Sequence, residues 1–113
     1  MREGGKRLDA LLVRMYSVNM NTIRFAWDEN KHHANTRKHG VSFEEAHTVV
    51  FDETAIRYFD PDHSEDEDRF ITLGMSFKLR VLVVCHCYRV RDTMIRIVLA
   101  RKANKRETQA YGR

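Results

Sequence analysis

The sequence predicts an α+β domain: a twisted antiparallel β-sheet with two N-terminal helices and a short C-terminal helix. Three observations carry this. Apolar and β-branched residues recur at a period of two in several short runs, the mark of strands. Two sets of helix start and stop signals meet between Asp28 and Ser42. The last three strand-like runs are joined by links too short for a parallel crossover, so they must form an antiparallel meander.

The elements follow in chain order. Thr22 to Trp27 reads as a strand, with Ile23, Phe25 and Trp27 alternating against Thr22, Arg24 and Ala26. Asp28 can cap the helix that follows, its carboxylate accepting from free amides of the first turn. Lys38 and His39 suit the negative end of that helix, and Gly40 supplies the left-handed residue that stops it. Ser42-Phe43-Glu44-Glu45 has the spacing of a capping box and starts a second helix to about Val50. Phe43, Ala46, Val49 and Val50 give that helix a face to bury. His47 beside them reads as a partly buried structural residue. Ala55 to Phe59 is a second strand, broken at Asp60-Pro61-Asp62, where Pro cannot continue a ladder. Arg69 to Met75, Arg80 to Tyr88 and Met94 to Ala100 are the remaining strands. Val81-Leu82-Val83-Val84 is apolar on both faces, as a central strand requires. Ala103 to Tyr111 is a closing helix.

The chain has 113 residues, enough for one domain with its own core. Residues 1–19 read as a weakly ordered N-terminal extension with a short helix over Lys6 to Tyr16. The domain proper is 20–113, and Met20 is an alternative start. Cys85 and Cys87 lie two apart on one strand face, a poor disulfide geometry. Two such thiols suit a reducing, cytoplasmic compartment. No apolar run is long enough to span a membrane, and no signal peptide is expected.

A formal charge of +4 permits a nucleic-acid partner without demanding one. Its distribution is more telling. From Asp60 to Asp68 the chain carries acids and no Lys or Arg, a solvated loop. From Arg101 to Arg113 bases outnumber Glu107, the only acid, so this segment is a candidate phosphate contact. Between Glu29 and His39 the only apolar residue is Ala34. This helix is either a solvated surface element or a basic surface offered to a polyanion or an acidic partner. No metal site is expected: His32 and His33 point apart on a helix, and His86 faces away from Cys85 and Cys87.

Trp27-Asp28, Lys31, Asn35 and the run Lys38-His39-Gly40-Val41-Ser42-Phe43-Glu44-Glu45-Ala46 resemble the opening signature of the BrnT family of ribonuclease toxins. Phe51-Asp52, His63-Ser64, Glu67, Arg69, Gly74, Ser76, Arg80, Arg96-Ile97, Ala100-Arg101, Ala103, Glu107 and Tyr111 continue the resemblance, which covers roughly Ile23 to Tyr111. It implies a RelE-like fold and an endoribonuclease toxin of a type II toxin–antitoxin pair that needs no cofactor. It also implies a cognate DNA-binding, BrnA-like antitoxin, with operator DNA bound only through the complex.

A metal-free ribonuclease takes its nucleophile from the 2′-OH of RNA. It needs a base for that proton, cations for the phosphorane, and an acid for the leaving 5′-oxygen. His39, His63 and Glu67 are the base and acid candidates. Arg69, Arg80 and Arg96 are the expected stabilisers, favoured by the implied cleft on the sheet. Lys38, Arg101, Lys102, Lys105 and Tyr111 are expected to bind RNA, and Lys31 and Arg37 to meet acids on the antitoxin. Trp27 and Tyr88 are further aromatic surfaces, Trp27 being core by its strand position. The rival reading is a non-catalytic module that binds nucleic acid or a protein partner.

Overall fold

The N-terminal half of the core is set where a strand runs straight into a helix. In this computed structural model, which describes the backbone of residues 13–18 and residues 23–89 and 93–112 in full, β2 spans Ile23–Asp28 and α1 spans Glu29–His39. Asp28 closes the strand and caps the helix, accepting from the amides of Asn30 at 2.8 Å and Lys31 at 3.3 Å. Gly40 ends α1 at φ 71°, a conformation that a side chain would strain, and its amide donates to Thr36 O. Ser42 then caps α2, Phe43–His47, accepting from Glu45 N at 3.0 Å. The expected box is half made, because the Glu45 side chain goes elsewhere. A 3-10 turn, Thr48–Phe51, completes the second helical segment.

The other elements fall where the alternation placed them: β3 Ile56–Phe59, β4 Phe70–Met75, β5 Val81–Arg89, β6 Met94–Lys102 and the closing helix α3, Lys105–Tyr111. The helix expected over Lys6 to Tyr16 does not extend over its last residues. Val13–Val18 is a strand, β1, antiparallel to β2. A β-branched and aromatic composition suits that pairing, and the open edge of β2 offers it a template. Residues 6–12, and with them the rest of the expected helix, lie outside the described residues. So does most of the segment expected to be weakly ordered.

The sheet order is β1-β2-β6-β5-β4-β3. β3 through β6 form the antiparallel meander, as the short links require. The one parallel pairing joins β2 to β6, so the sheet is mixed. That pairing covers only Arg24–Met94 to Ala26–Arg96. Beyond it β2 gives way to α1, and Asn35 takes the place of a strand. Its amide nitrogen donates to Ala100 O at 2.7 Å and its oxygen accepts from Ala100 N at 3.1 Å. The same nitrogen donates to Val41 O at 3.0 Å. A polar helix with almost no apolar face is thus fastened by one buried amide that satisfies a sheet edge.

One face of the sheet carries the helices. Phe25, Trp27, Leu82, Val84, Ile95, Ile97 and Ala100 meet Val41, Phe43, Ala46 and Val49 there. A register shift at Cys85/His86 lets Ile97 and Ala100 both turn inward. Gly74 is where the 3-10 turn comes closest to the sheet: a Cβ there would stand 3.1 Å from the Cβ atoms of Val49 and Ala55. His47 is half-buried against Phe25, with ring centroids 4.9 Å apart, as its position predicted.

Candidate functional site

On the opposite face, the acidic loop from Asp60 to Asp68 is folded into a fixed structure. Asp60 N donates to Arg69 O at 2.8 Å, which closes the neck. Ser64 Oγ donates to Asp60 O at 2.5 Å and accepts from Arg69 N at 2.9 Å. Asp60 is buried, and its Oδ2 lies 3.0 Å from His63 Nδ1. This fixes the imidazole, whose side chain is 62% exposed, with its other nitrogen free of that contact. Glu67 is held by Arg89, whose Nε and Nη2 donate to its two oxygens at 2.7 and 2.8 Å. The partner of Glu67 is thus Arg89 on β5 and not Arg69, its near neighbour in the chain.

Between this loop, the sheet and the start of α1 lies a cavity of about 460 Å³. It is lined by Lys31, Asp62, His63, Glu65, Asp66, Glu67, Arg69, Cys87, Arg96 and Val98. β4 places Arg69 at its first turn out of the loop. β6 places Arg96 opposite Cys87 in the register. Neither guanidinium, nor the Lys31 ammonium, has a hydrogen-bond or ion-pair partner among the described residues. Three cations thus surround one cavity beside an oriented imidazole and a fixed carboxylate, an arrangement suited to a phosphodiester.

Of the expected catalytic residues, the structure brings together Glu67, Arg69 and Arg96, with His63. It does not bring Arg80 or His39 to them. Arg69 immediately precedes β4 and Arg80 immediately precedes β5, and in a hairpin those positions are at opposite ends. Arg80 is engaged there by Glu45, which is 1% exposed: Nε donates to Oε2 at 2.9 Å and Nη2 to Oε1 at 2.6 Å. Ser76 Oγ adds a third bond to Glu45 at 2.6 Å, and Arg80 Nη2 also donates to Gly40 O. Arg80 chiefly holds the Glu45 carboxyl below its ordinary range, against the opposing effect of burial. His39 is the last residue of α1, eight residues beyond Lys31, or about 12 Å along the axis. Lys38 and Arg37 are exposed on the same last turn.

The C-terminal candidates are also placed elsewhere. Arg101 makes a bidentate pair with Glu107 at 2.9 and 2.8 Å, across the start of α3. Glu107 completes a capping box with Asn104, so this carboxylate stabilises the helix start twice. Tyr111 donates to Asp52 Oδ2 at 2.6 Å and lies 2.9 Å from Thr54 Oγ1. Burial raises the Asp52 carboxyl, but hydrogen bonds from Tyr111, Met75 N and Thr54 prevail and hold it at about 2. Lys102 and Lys105 are exposed. Trp27 is fully buried, so it offers no stacking surface.

The sequence reading left three members of the site out. Lys31 was assigned to a partner surface, although it lines the cavity. Asp60 was read as a strand breaker; its i,i+3 spacing to His63 is the signal that links the two. Arg89 is 22 residues from Glu67, and nothing local joins them.

Fold and site together define a small α+β protein with a cleft on an open sheet face, lined by three cations, four carboxylates and an imidazole. The family model described as "Ribonuclease toxin, BrnT, of type II toxin-antitoxin system" matches residues 27–107, and the chain belongs to that family. RNA as substrate and an antitoxin as partner go with that membership. Among solved structures the chain is similar to the 1.1 Å crystal structure of the Brucella abortus ribonuclease toxin BrnT. The two share 22% identity over 70% of this chain and 94% of that one, with a TM-score of 0.52. This likeness bears on the fold alone. A search of the curated proteins found no match.

Proposed function

We propose that the cavity beneath the acidic loop is the catalytic site of a metal-independent RNA endonuclease whose activity inhibits translation and growth. The observation that carries this is the convergence of Arg69, Arg96 and Lys31, uncommitted among the described residues, beside His63 and Glu67. Arg80, expected from the sequence as a stabiliser, and Arg101, expected to bind RNA, already hold carboxylates.

In this reading the scissile phosphate lies between Arg69 and Arg96, whose planar guanidinium groups match its oxygens and stabilise the phosphorane. Asp60 holds the His63 imidazole in one tautomer and orientation, and His63 exchanges protons with the 2′-OH or the 5′-oxygen. Glu67, fixed by Arg89, is the second proton-transfer group. The proton taken from the 2′-OH is matched by one given to the leaving 5′-oxygen, so the products are a 2′,3′-cyclic phosphate and a 5′-OH. Asp62, Glu65 and Asp66 line the same cavity and oppose a polyanion, so Arg69, Arg96 and Lys31 must outweigh them at the scissile phosphate.

The toxin acts in the cytoplasm and is neutralised by a DNA-binding, BrnA-like antitoxin, the complex binding its operator. Among the described residues no helix is long and apolar enough to cross a membrane. Exposed Arg37 and Lys38, away from the cavity, remain available to acids on that partner.

The test is RNA cleavage by purified full-length protein in EDTA, with Arg69→Ala, Arg96→Ala and His63→Gln alongside. Cleavage that survives EDTA and drops about a hundredfold or more in Arg69→Ala or Arg96→Ala, with unchanged stability, is the expected result. Undiminished cleavage in both variants refutes this site. RNA binding without cleavage in the wild type favours the non-catalytic module instead.

A further inference from the structure

The helix-bearing face of the sheet has an uncovered corner that the cleavage site does not use. By register, Phe59, Phe70 and His86 stand side by side across β3, β4 and β5, with Tyr88 two residues on and Arg57 two residues back. Ring centroids lie 5.6 Å apart for Phe59 and Phe70, 5.2 Å for Phe70 and Tyr88, and 5.3 Å for His86 and Tyr88. The Arg57 guanidinium lies over this platform, 5.6 Å from the Phe70 centroid and 5.5 Å from that of Tyr88, and donates to the Tyr88 hydroxyl.

Two spaces open on it, both lined by Arg57 and Tyr88. One, of about 270 Å³, reaches Arg57, Thr72, His86 and Tyr88. It falls just below the ~300–1,000 Å³ of drug-sized ligand pockets, which suits a planar ring better than a whole nucleotide. The other, of about 570 Å³, is lined by Arg57, Glu67, Asp68, Phe70 and Tyr88. Glu67 is therefore a wall of this space and of the phosphate cavity on the opposite face.

The chemistry of the corner selects against phosphate and for a base. Glu67 and Asp68 repel an anion at its entrance. Arg57 already spreads its charge over two rings, and a guanidinium beside aromatic rings is a stacking surface for any nucleobase. His86 is 1% exposed, and burial holds its imidazole neutral at pH 7, with a pKa of about 4. Its Nε2 is 2.8 Å from Thr72 Oγ1, and its Nδ1 has no hydrogen-bond partner among the described residues. A neutral imidazole adds an uncharged aromatic ring to the lining of this corner.

We propose that this corner is a nucleobase subsite: a base flanking the cleaved phosphate rounds the end of the sheet at Glu67 and stacks on Tyr88 and Phe70 beside Arg57. The subsite rests on the ribonuclease reading and gives that enzyme its grip on single-stranded RNA, whose unpaired bases alone can be splayed this way.

The probe is a short oligoribonucleotide methylated on every 2′-oxygen, which blocks the nucleophile, and carrying 2-aminopurine, whose fluorescence falls on stacking. Titrated with the full chain, it should be quenched. Tyr88→Leu and Arg57→Ala should each weaken binding about tenfold and remove the quenching, while Tyr88→Phe should keep it. Arg57 is exposed, so its substitution tests the subsite even where a change at Tyr88 disturbs folding. Binding and quenching unchanged in both Tyr88→Leu and Arg57→Ala overturn the proposal, as does the absence of quenching in the wild type. Cleavage of unmodified RNA is read separately: quenching without cleavage removes the enzymatic reading and leaves the base site, whereas cleavage without quenching removes only the base site.

Discussion

Arg80→Ala separates a structural from a catalytic arginine. Glu45 is 1% exposed and ionised, and it depends on Arg80 for two of its three side-chain hydrogen bonds, Ser76 giving the third. Removing one partner of a buried pair leaves an uncompensated charge and costs about 3–5 kcal/mol. The Arg80 side chain is 29% exposed, so water partly replaces it, and the low end, about 3 kcal/mol, applies. Against a domain stability of about 5–15 kcal/mol that is a large fraction. With a urea slope of about 1.5 kcal/mol/M, the unfolding midpoint should fall by about 2 M. Adding Glu45→Gln, which removes the stranded charge, should recover part of this. Because Arg80 lowers the Glu45 pKa, the stabilisation of this pair is present above the ordinary carboxylate range and lost as pH falls. The wild type should therefore lose more stability in acid than Arg80→Ala does. Urea titrations run beside RNA cleavage provide the assay. A hundredfold loss of cleavage with an unshifted midpoint would refute the structural assignment and return Arg80 to the chemistry.

Three further outcomes are expected. Asn35→Ala strands both backbone groups of Ala100 at the point where β2 leaves the sheet, and should cost about 2–3 kcal/mol in urea unfolding, with amide exchange fastest at β6 and α1. His86 titrates at about 4 in the fold against 6.5 unfolded. Its contribution is complete above pH 6.5 and lost as pH falls towards 4, about 2.5 kcal/mol by pH 4.5, and His86→Gln should flatten that part of the stability profile. Tyr111→Phe keeps the ring and loses the bond to Asp52, so stability should fall by about 1–3 kcal/mol with RNA affinity unchanged; a matched loss of affinity would favour the RNA-binding role expected from the sequence.

Much of the fold was legible because its signals are local. Asp28, Gly40 and Ser42 fix helix ends through their own backbone neighbours, and the apolar run of β5 announces a central strand by itself. Glu45 shows where that reading stops. Its spacing to Ser42 promises a reciprocal cap, yet the carboxylate turns to Arg80, 35 residues away, because the buried position admits an ion only with a partner. Arg101 and Tyr111 were read as phosphate and base contacts from the charge of their segment. Glu107 and Asp52 take them up once α3 folds back on the sheet.

The sequence by itself determined the element order from β2 onward, the helix caps, the antiparallel meander and the kinds of side chain available for phosphate chemistry. These depend on residue spacing and on links too short to permit another pairing. Tertiary structure decided the parallel pairing of β2 with β6, the replacement of a strand by Asn35, and which cations stay uncommitted. Arg69, Arg96 and Lys31 lie on different elements, so their shared cavity follows from the strand order and the path of α1. A charge becomes available to a ligand only when folding leaves it without a carboxylate, and no local pattern in the chain records that.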